Sequence, residues 1–176
     1  MEVAIDSNAL TYLIESMEPN YFPSSDDPVL AIERISMLRI FLYAGLLFYV
    51  LPQVINEYAK IPKYDWRDIH KSTVGALLND VQMELDHHDV CQRKRELLSL
   101  HPKDKDCQIL AEAEVIGISS LLTRDDDFIK RLSSYTVVRI LYPSEFWKSL
   151  NVTPGSNPKY MPAESNPLFG KTWWKI

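Results

Sequence analysis

The chain's 176 residues are 46% hydrophobic, enough for one domain around a single buried core and too few for a string of domains. Its formal charge of −5, from 24 acidic against 19 basic residues, argues against a protein that grips nucleic acid through its overall charge, although a local basic strip is compatible with it. No apolar run reaches the roughly 18–20 residues of a membrane span, and Cys91 and Cys107 stand in no CxxC or Cys/His spacing, so they are expected as buried or half-buried free thiols rather than as a disulfide framework.

Val3-Ala4-Ile5 reads as a short buried strand running into Asp6-Ser7-Asn8, and Ala9 to Ile14 continues as a helix, which puts Asp6 at a strand's carboxyl end. With no basic n-region and apolar h-region ahead of that strand, no secretory signal is expected, and the protein is expected in the cytoplasm. Pro19 to Pro28 is a loop. From Val29 to Tyr43 the apolar residues Leu30, Ile32, Ile35, Leu38 and Leu42 keep helical spacing. The most apolar stretch, Ile40 to Leu51, is interrupted by Gly45 and closed by Pro52, so it is the end of that helix, a glycine turn and a second buried strand, Leu46 to Leu51. Pro52 suits the first turn of a helix with Val54, Ile55, Tyr58 and Ile61 on its apolar side. Glu57 rides on it.

Ile61 to Lys103 predicts two or three helices covering the sheet, one capped by Asp65 and containing Trp66, Ile69 and His70, another spanning Val81 to Leu100 with a strongly charged face. Asp104 or Asp106 opens a clearer helix that runs to Val115 and ends near Gly117. Ser119 to Thr123 is a strand, Asp125-Asp126-Asp127-Phe128 begins a short helix, Thr136 to Leu141 is a strand, and Pro143 starts the last helix. Short apolar strands alternating with helices imply βα units, an α/β class and a mainly parallel sheet, with no internal repeat. Residues 1–150 form this domain. Residues 151–176, broken by Pro154, Gly155, Pro158, Pro162, Pro167 and Gly170, are a tail that is extended over the domain or flexible, its Trp173-Trp174 a candidate to dock on the body or on a partner.

Four separated acids, Asp6, Glu57, Asp106 and Asp125, each stand at a strand end or in the first turns of a helix. In a parallel α/β fold those places converge on one edge of the sheet. Carboxylates held close together repel, and they stay ionised near neutrality only when a cation such as Mg²⁺ or Mn²⁺ neutralises them. Each has a plainer reading too: Asp6 as a turn residue, Glu57 as a solvated helix residue, Asp106 and Asp125 as helix caps. The pair His87-His88 points two ways on a helix and makes a poor zinc site, as do His70 and His101, which lack an obvious Cys/His partner. Trp147 is a core aromatic or a base-stacking one. No GxxxxGK[ST] or GxGxxG is present, so nucleotide hydrolysis on a P-loop has no support.

The segments Val3-Ala4-Ile5-Asp6-Ser7-Asn8-Ala9-Leu10, Val54-Ile55-Asn56-Glu57, Asp106-Cys107-Gln108-Ile109-Leu110-Ala111 and Leu121-Leu122-Thr123-Arg124-Asp125-Asp126-Asp127-Phe128 resemble those of the PIN domain, a family of Mg²⁺/Mn²⁺-dependent nucleases that includes the toxins of many toxin–antitoxin pairs. The resemblance spans residues 1 to about 148 and leaves the tail outside. It implies a three-layer α/β/α fold and an acidic site of Asp6, Glu57, Asp106 and Asp125. Asp127 would be an auxiliary ligand through the family's Thr-x-Asp-x-Asp pattern. Ser7 or Asn8 would orient a ligand or a water, and Thr123 would hydrogen-bond a carboxylate.

The implied reaction is hydrolysis of RNA phosphodiester bonds by metal-activated water. Arg124, Lys130 and Arg131 are candidate phosphate contacts, and Arg93-Lys94-Arg95 is an outer candidate or a solvated helix face. The partners implied are RNA, an antitoxin protein covering the site, and a second copy of the chain, with apolar surface on the Val29 to Tyr43 helix as a place for either protein. The sequence departs from the family pattern in the long 61–103 insert and in its acidic balance. Two rivals stand beside this reading: a PIN-like module that binds RNA or protein without cutting, and a hydrolase of small phosphate esters, although Asp6-Ser7-Asn8 lacks the second aspartate of a DxDxT nucleophile motif.

Overall fold

The computed structural model describes residues 2–17, 27–80, 87–160, 164 and 169. Among these residues the strands β1 (Glu2–Ile5), β2 (Leu47–Val50), β3 (Asn79–Asp80), β4 (Ser120–Leu122) and β5 (Arg139–Leu141) form one wholly parallel sheet in the order β3-β2-β1-β4-β5. The helices are α1 (Ser7–Met17), α2 (Pro28–Ala44), α3 (Pro52–Tyr58), α4 (Tyr64–Leu77), α5 (His87–Leu98), α6 (Asp104–Ile116), α7 (Asp126–Leu132) and α8 (Pro143–Ser149).

From β1 the chain steps outward to β2 and β3, then crosses back to β4 and β5. Right-handed crossovers put α1, α2 and α4 on one face and α5, α6 and α7 on the other. The packing agrees: α1 lies on α2 and α4, α8 returns onto α2, and α5 packs on α6. Helix α3 touches α1, α4 and α6, as an element at the carboxyl edge of the strands must. The result is the three-layer α/β/α architecture expected from the alternation of elements.

The core is continuous from Val3, Ala4 and Ile5 of β1 to Leu121 and Leu122 of β4, all fully buried, with Leu10 and Leu13 of α1, Met37 and Ile40 of α2, and Leu110 and Ala111 of α6 above and below. Strands buried on both faces read as apolar runs, which is why β1 and β2 are plain in the sequence. Glu33, buried in α2, accepts hydrogen bonds from the Ser144 backbone N–H at 2.9 Å and its hydroxyl at 2.7 Å, and so ties α2 to the first turn of α8.

Helix ends follow their residues. Asp27 caps α2 through Val29 and Leu30, with Pro28 in the first turn, and the loop expected ahead of it falls on residues 18–26, outside the described ones. Gly45, at φ 55°, ends α2, and the Lys159 side chain lies so close that a Cβ there would stand 2.4 Å from its Cδ. Pro52 begins α3 as expected. Gly117, at φ 84°, ends α6.

Several boundaries differ from the sequence reading. Lys63, not Asp65, precedes α4, and Asp65 sits in its first turn, where a carboxylate complements the helix dipole. The 61–103 segment contains the edge strand β3, and α5 begins at His87, with residues 81–86 outside the described ones. Helix α3 ends at Tyr58, short of Ile61. The last strand starts at Arg139: Thr136 Oγ1 accepts the Val138 N–H at 3.0 Å, and Val137 is 92% exposed, so the chain turns before it joins the sheet. Cys107 is buried, but Cys91 is exposed, because α5 buries only Val90 and Leu97. The tail docks through residue 160: Lys159 and Tyr160 donate their N–H groups to Leu42 O at 2.7 and 3.1 Å, and the Tyr160 ring stacks on Phe41 at 5.4 Å. Trp173-Trp174 lies outside the described residues. No described helix is long and apolar enough to cross a membrane.

Candidate functional site

The strand order reverses direction between β1 and β4, and the crevice at the carboxyl ends of such a pair is where open α/β sheets bind ligands. The register that pairs Ile5 with Leu122 sets Asp6 beside Thr123. Asp6 N donates to Leu122 O at 3.0 Å. Its carboxylate accepts from Ala9 N at 2.7 Å and from Thr123 Oγ1 at 2.5 Å, and only 5% of the residue is exposed. Burial pushes its carboxyl up to about 7 against those two hydrogen bonds, and the nearby charges of Asp106 and Glu57 push the same way. It is no ordinary turn residue.

The other acids surround it from different elements. Glu57 on α3 accepts the Ser7 hydroxyl at 2.5 Å and Gln53 Nε2 at 3.0 Å, with Lys105 Nζ at 3.7 Å, so it is held rather than solvated. Asp106 is in the first turn of α6, but the helix opens at Asp104 without a side-chain cap, which frees the Asp106 carboxylate for His101 Nε2 at 2.7 Å. Burial raises the Asp106 carboxyl and the Asp125 charge adds to it, while His101 and Lys103 act against them. Asp125 does cap α7, through Oδ1 to Asp127 N at 2.9 Å and Phe128 N at 3.0 Å. Its Oδ2 is taken by the Lys103 ammonium. Burial opposes ionisation of Asp125, but Lys103 and the cap N–H groups outweigh it and lower its pKa. Thr123 Oγ1 also accepts Asp125 N at 3.0 Å, so one hydroxyl links the first acid to the fourth.

Asp127 is exposed and meets Asp125 through its backbone. Ser7 serves Glu57, and Asn8 lines a cavity beside them. Arg124 is paired with Asp126 at 2.6 Å and lies over the Tyr142 ring at 5.3 Å. Lys130 and Arg131 are exposed in the last turn of α7, about 7 Å along the axis from its start. Arg93 is taken up by Glu96, Glu114 and Tyr135 O, so it belongs to the α5–α6 packing.

Two residues that the sequence reading passed over belong to the cluster. His101 is buried, stacks on Phe128 at 6.2 Å and fixes Asp106, while its Nδ1 is buried without a hydrogen-bond partner. Lys103 bridges Asp125 and, at 3.9 Å, Asp106. The i, i+3 spacing of Lys103 and Asp106 across a helix start was the available signal. Among the described residues no three His, Cys, Asp or Glu side chains converge closely enough to hold one metal ion. The donor set is nonetheless one of hard oxygens, as Mg²⁺ or Mn²⁺ requires, and the Lys103 ammonium sits among the acids as a stand-in cation.

No family model and no curated protein sequence matches the chain. Solved structures do. VapBC2 from Rickettsia felis, bound to a DNA fragment from its promoter, aligns over 80% of this chain and 98% of that one, at 14% identity and a TM-score of 0.52. VapBC-1 from nontypeable Haemophilus influenzae aligns over 82% and 99%, at 12% identity and a TM-score of 0.55. Both are toxin–antitoxin complexes whose toxin is a PIN domain. At such identities the likeness is one of fold, and with the parallel sheet and its switch point it identifies the chain as a PIN-like domain.

Proposed function

We propose that the protein is a divalent-metal-dependent endoribonuclease of the cytoplasm, with Asp6, Glu57, Asp106 and Asp125 as its acidic centre and Asp127 as an auxiliary ligand. The observation that carries this reading is the electrostatic coupling of Asp6, buried at the switch point, to Glu57 and Asp106, and of Asp106 to Asp125. Mg²⁺ or Mn²⁺, when bound, supplies an acidified water and charge stabilisation for the leaving oxygen.

The chain's own groups hold the acids in place. Thr123 orients Asp6, Ser7 and Gln53 orient Glu57, and His101 orients Asp106, each leaving carboxylate lone pairs for an ion. Arg124, Lys130 and Arg131 are the proposed phosphate contacts. Arg124 is shared with Asp126, and a phosphate would have to compete for it. The proposed protein partners are an antitoxin, by analogy with the two structural neighbours, and a second copy of the chain.

A second reading, a PIN-like module that binds without cutting, is favoured by one observation: the Lys103 ammonium already neutralises Asp125 and Asp106. Cleavage of end-labelled single-stranded RNA and matched DNA in Mn²⁺, Mg²⁺ or EDTA, by the protein and by Asp6→Asn, separates the two. RNA cutting that needs the ion and is lost in Asp6→Asn is the expected result. Failure of the folded protein to cut under any ion overturns the nuclease reading in favour of the binding module.

A further inference from the structure

A cavity of about 260 Å³ opens against Glu57, on the side away from Asp125, between α1, α3 and α4. Pockets for drug-sized ligands run to roughly 300–1,000 Å³, so this one takes a single ring system. Its depth is apolar, from Leu10 and Val54, both fully buried. One wall is built of two rings, Tyr58 and His70, with centroids 6.3 Å apart. Lys105, the cation 3.7 Å from Glu57, stands at the exposed end.

Hydrogen counting shows what the wall lacks. His70 Nδ1 lies 2.8 Å from Trp66 O, which can only accept, so Nδ1 carries the proton and Nε2 is an acceptor; burial, which lowers the His70 pKa, keeps the ring neutral. Nε2 faces Thr11 Oγ1 at 3.3 Å, and that hydroxyl also lies 2.9 Å from Ser7 O. Thr11 has one hydroxyl hydrogen and cannot serve both. The wall therefore presents two neighbouring acceptors, Nε2 and Oγ1, with one donor too few, in a site 1% exposed at His70.

We infer that this cavity is a subsite for one unpaired nucleobase of the nucleic-acid strand, stacked on Tyr58 with a donor-rich edge turned to His70 and Thr11, which favours guanine. Guanine's N1–H and N2–H are adjacent donors, whereas uracil offers one N–H between two carbonyls and adenine and cytosine pair an amine with an acceptor. Aromatic stacking supplies the sequence-tolerant part of the binding. The base would lie beside Glu57, so its phosphate would face Lys105 and the acidic centre. The inference rests on the nucleic-acid reading above and names the part of the strand that the site grips.

The test is binding of GMP, UMP and ribose 5-phosphate to the full chain in EDTA, followed by amide chemical shifts, so that no cleavage enters the readout. GMP is expected to shift residues of the cavity and to bind tightest, with ribose 5-phosphate weaker by about fivefold or more, the loss of one stacked base. Tyr58→Ala is expected to lose that difference and Tyr58→Phe to keep it. Should Tyr58→Ala fail to fold, Thr11→Val serves, and is expected to abolish the preference for GMP over UMP. Equal binding of GMP and ribose 5-phosphate, or no shift in the cavity, overturns the inference. RNA cutting without base binding removes the subsite and leaves the nuclease; base binding without RNA cutting does the reverse.

Discussion

Asp6 keeps its proton until about pH 7 when no cation is near, although the same side chain in an unfolded chain loses it near 3.8. The folded state therefore binds the proton more tightly, and the metal-free protein loses stability as pH rises from about 4 to about 7. Because the group is buried, the loss is of the order of a few kcal/mol. Urea unfolding in EDTA across that range is expected to show this slope, and Asp6→Asn, which can keep both hydrogen bonds, is expected to flatten it and to be the more stable protein at pH 8. Lys103 makes a second claim at this level. Its ammonium holds the place of a cation between Asp125 and Asp106, so Lys103→Met is expected to bind Mn²⁺ about two- to fivefold more tightly by calorimetry, the modest size following from the exposure of the pair. Weaker Mn²⁺ binding in that variant would show that Lys103 supports the centre rather than competes for it. The four acids were legible because each closes an apolar run or opens a periodic one. Lys103 and His101 were not, since a lone lysine and a lone histidine say nothing of the residues 22 and 5 positions on that they meet.

Among the elements, α2 and α8 are joined by a carboxylate rather than by apolar packing alone. Glu33 satisfies two donors of Ser144 in a buried place, so Glu33→Ala leaves both without a partner. The expected cost is about 2–3 kcal/mol in urea unfolding, with Mn²⁺ affinity unchanged, because neither helix carries an acid of the centre. Most elements could be read from the chain: β1 and β2 are apolar runs, Pro52 and Pro143 mark helix starts, and Gly45 and Gly117 mark ends in the left-handed region. The edge strand β3 could not, because its two residues, Asn79 and Asp80, have no apolar pattern and pair only through their backbones with Tyr49 and Val50. The late start of β5 was equally hidden: β4 is three residues long and fixes where pairing can begin, whatever Thr136 and Val137 prefer.

Across the molecule, the centre sits where the chain reverses its direction of travel through the sheet, with β1 in the middle of the order and its two neighbours contributed by segments far apart in sequence. Residues 2–160 pack as one body in which the described part of the tail closes over the end of α2 through Lys159 and Tyr160. That topology sets a timetable during synthesis. Thr123, the hydroxyl that holds Asp6, follows it by 117 residues, which at roughly 5–20 residues per second takes about 6 to 20 s to be made. Through that interval β1 can pair with β2 alone, and the nascent chain holds Asp6 and Glu57 without the strand that aligns them. A ribosome making this protein is thus spared a finished acidic centre beside its own message until β4 and α7 have emerged, and a partner destined to cover that centre has the same interval in which to arrive.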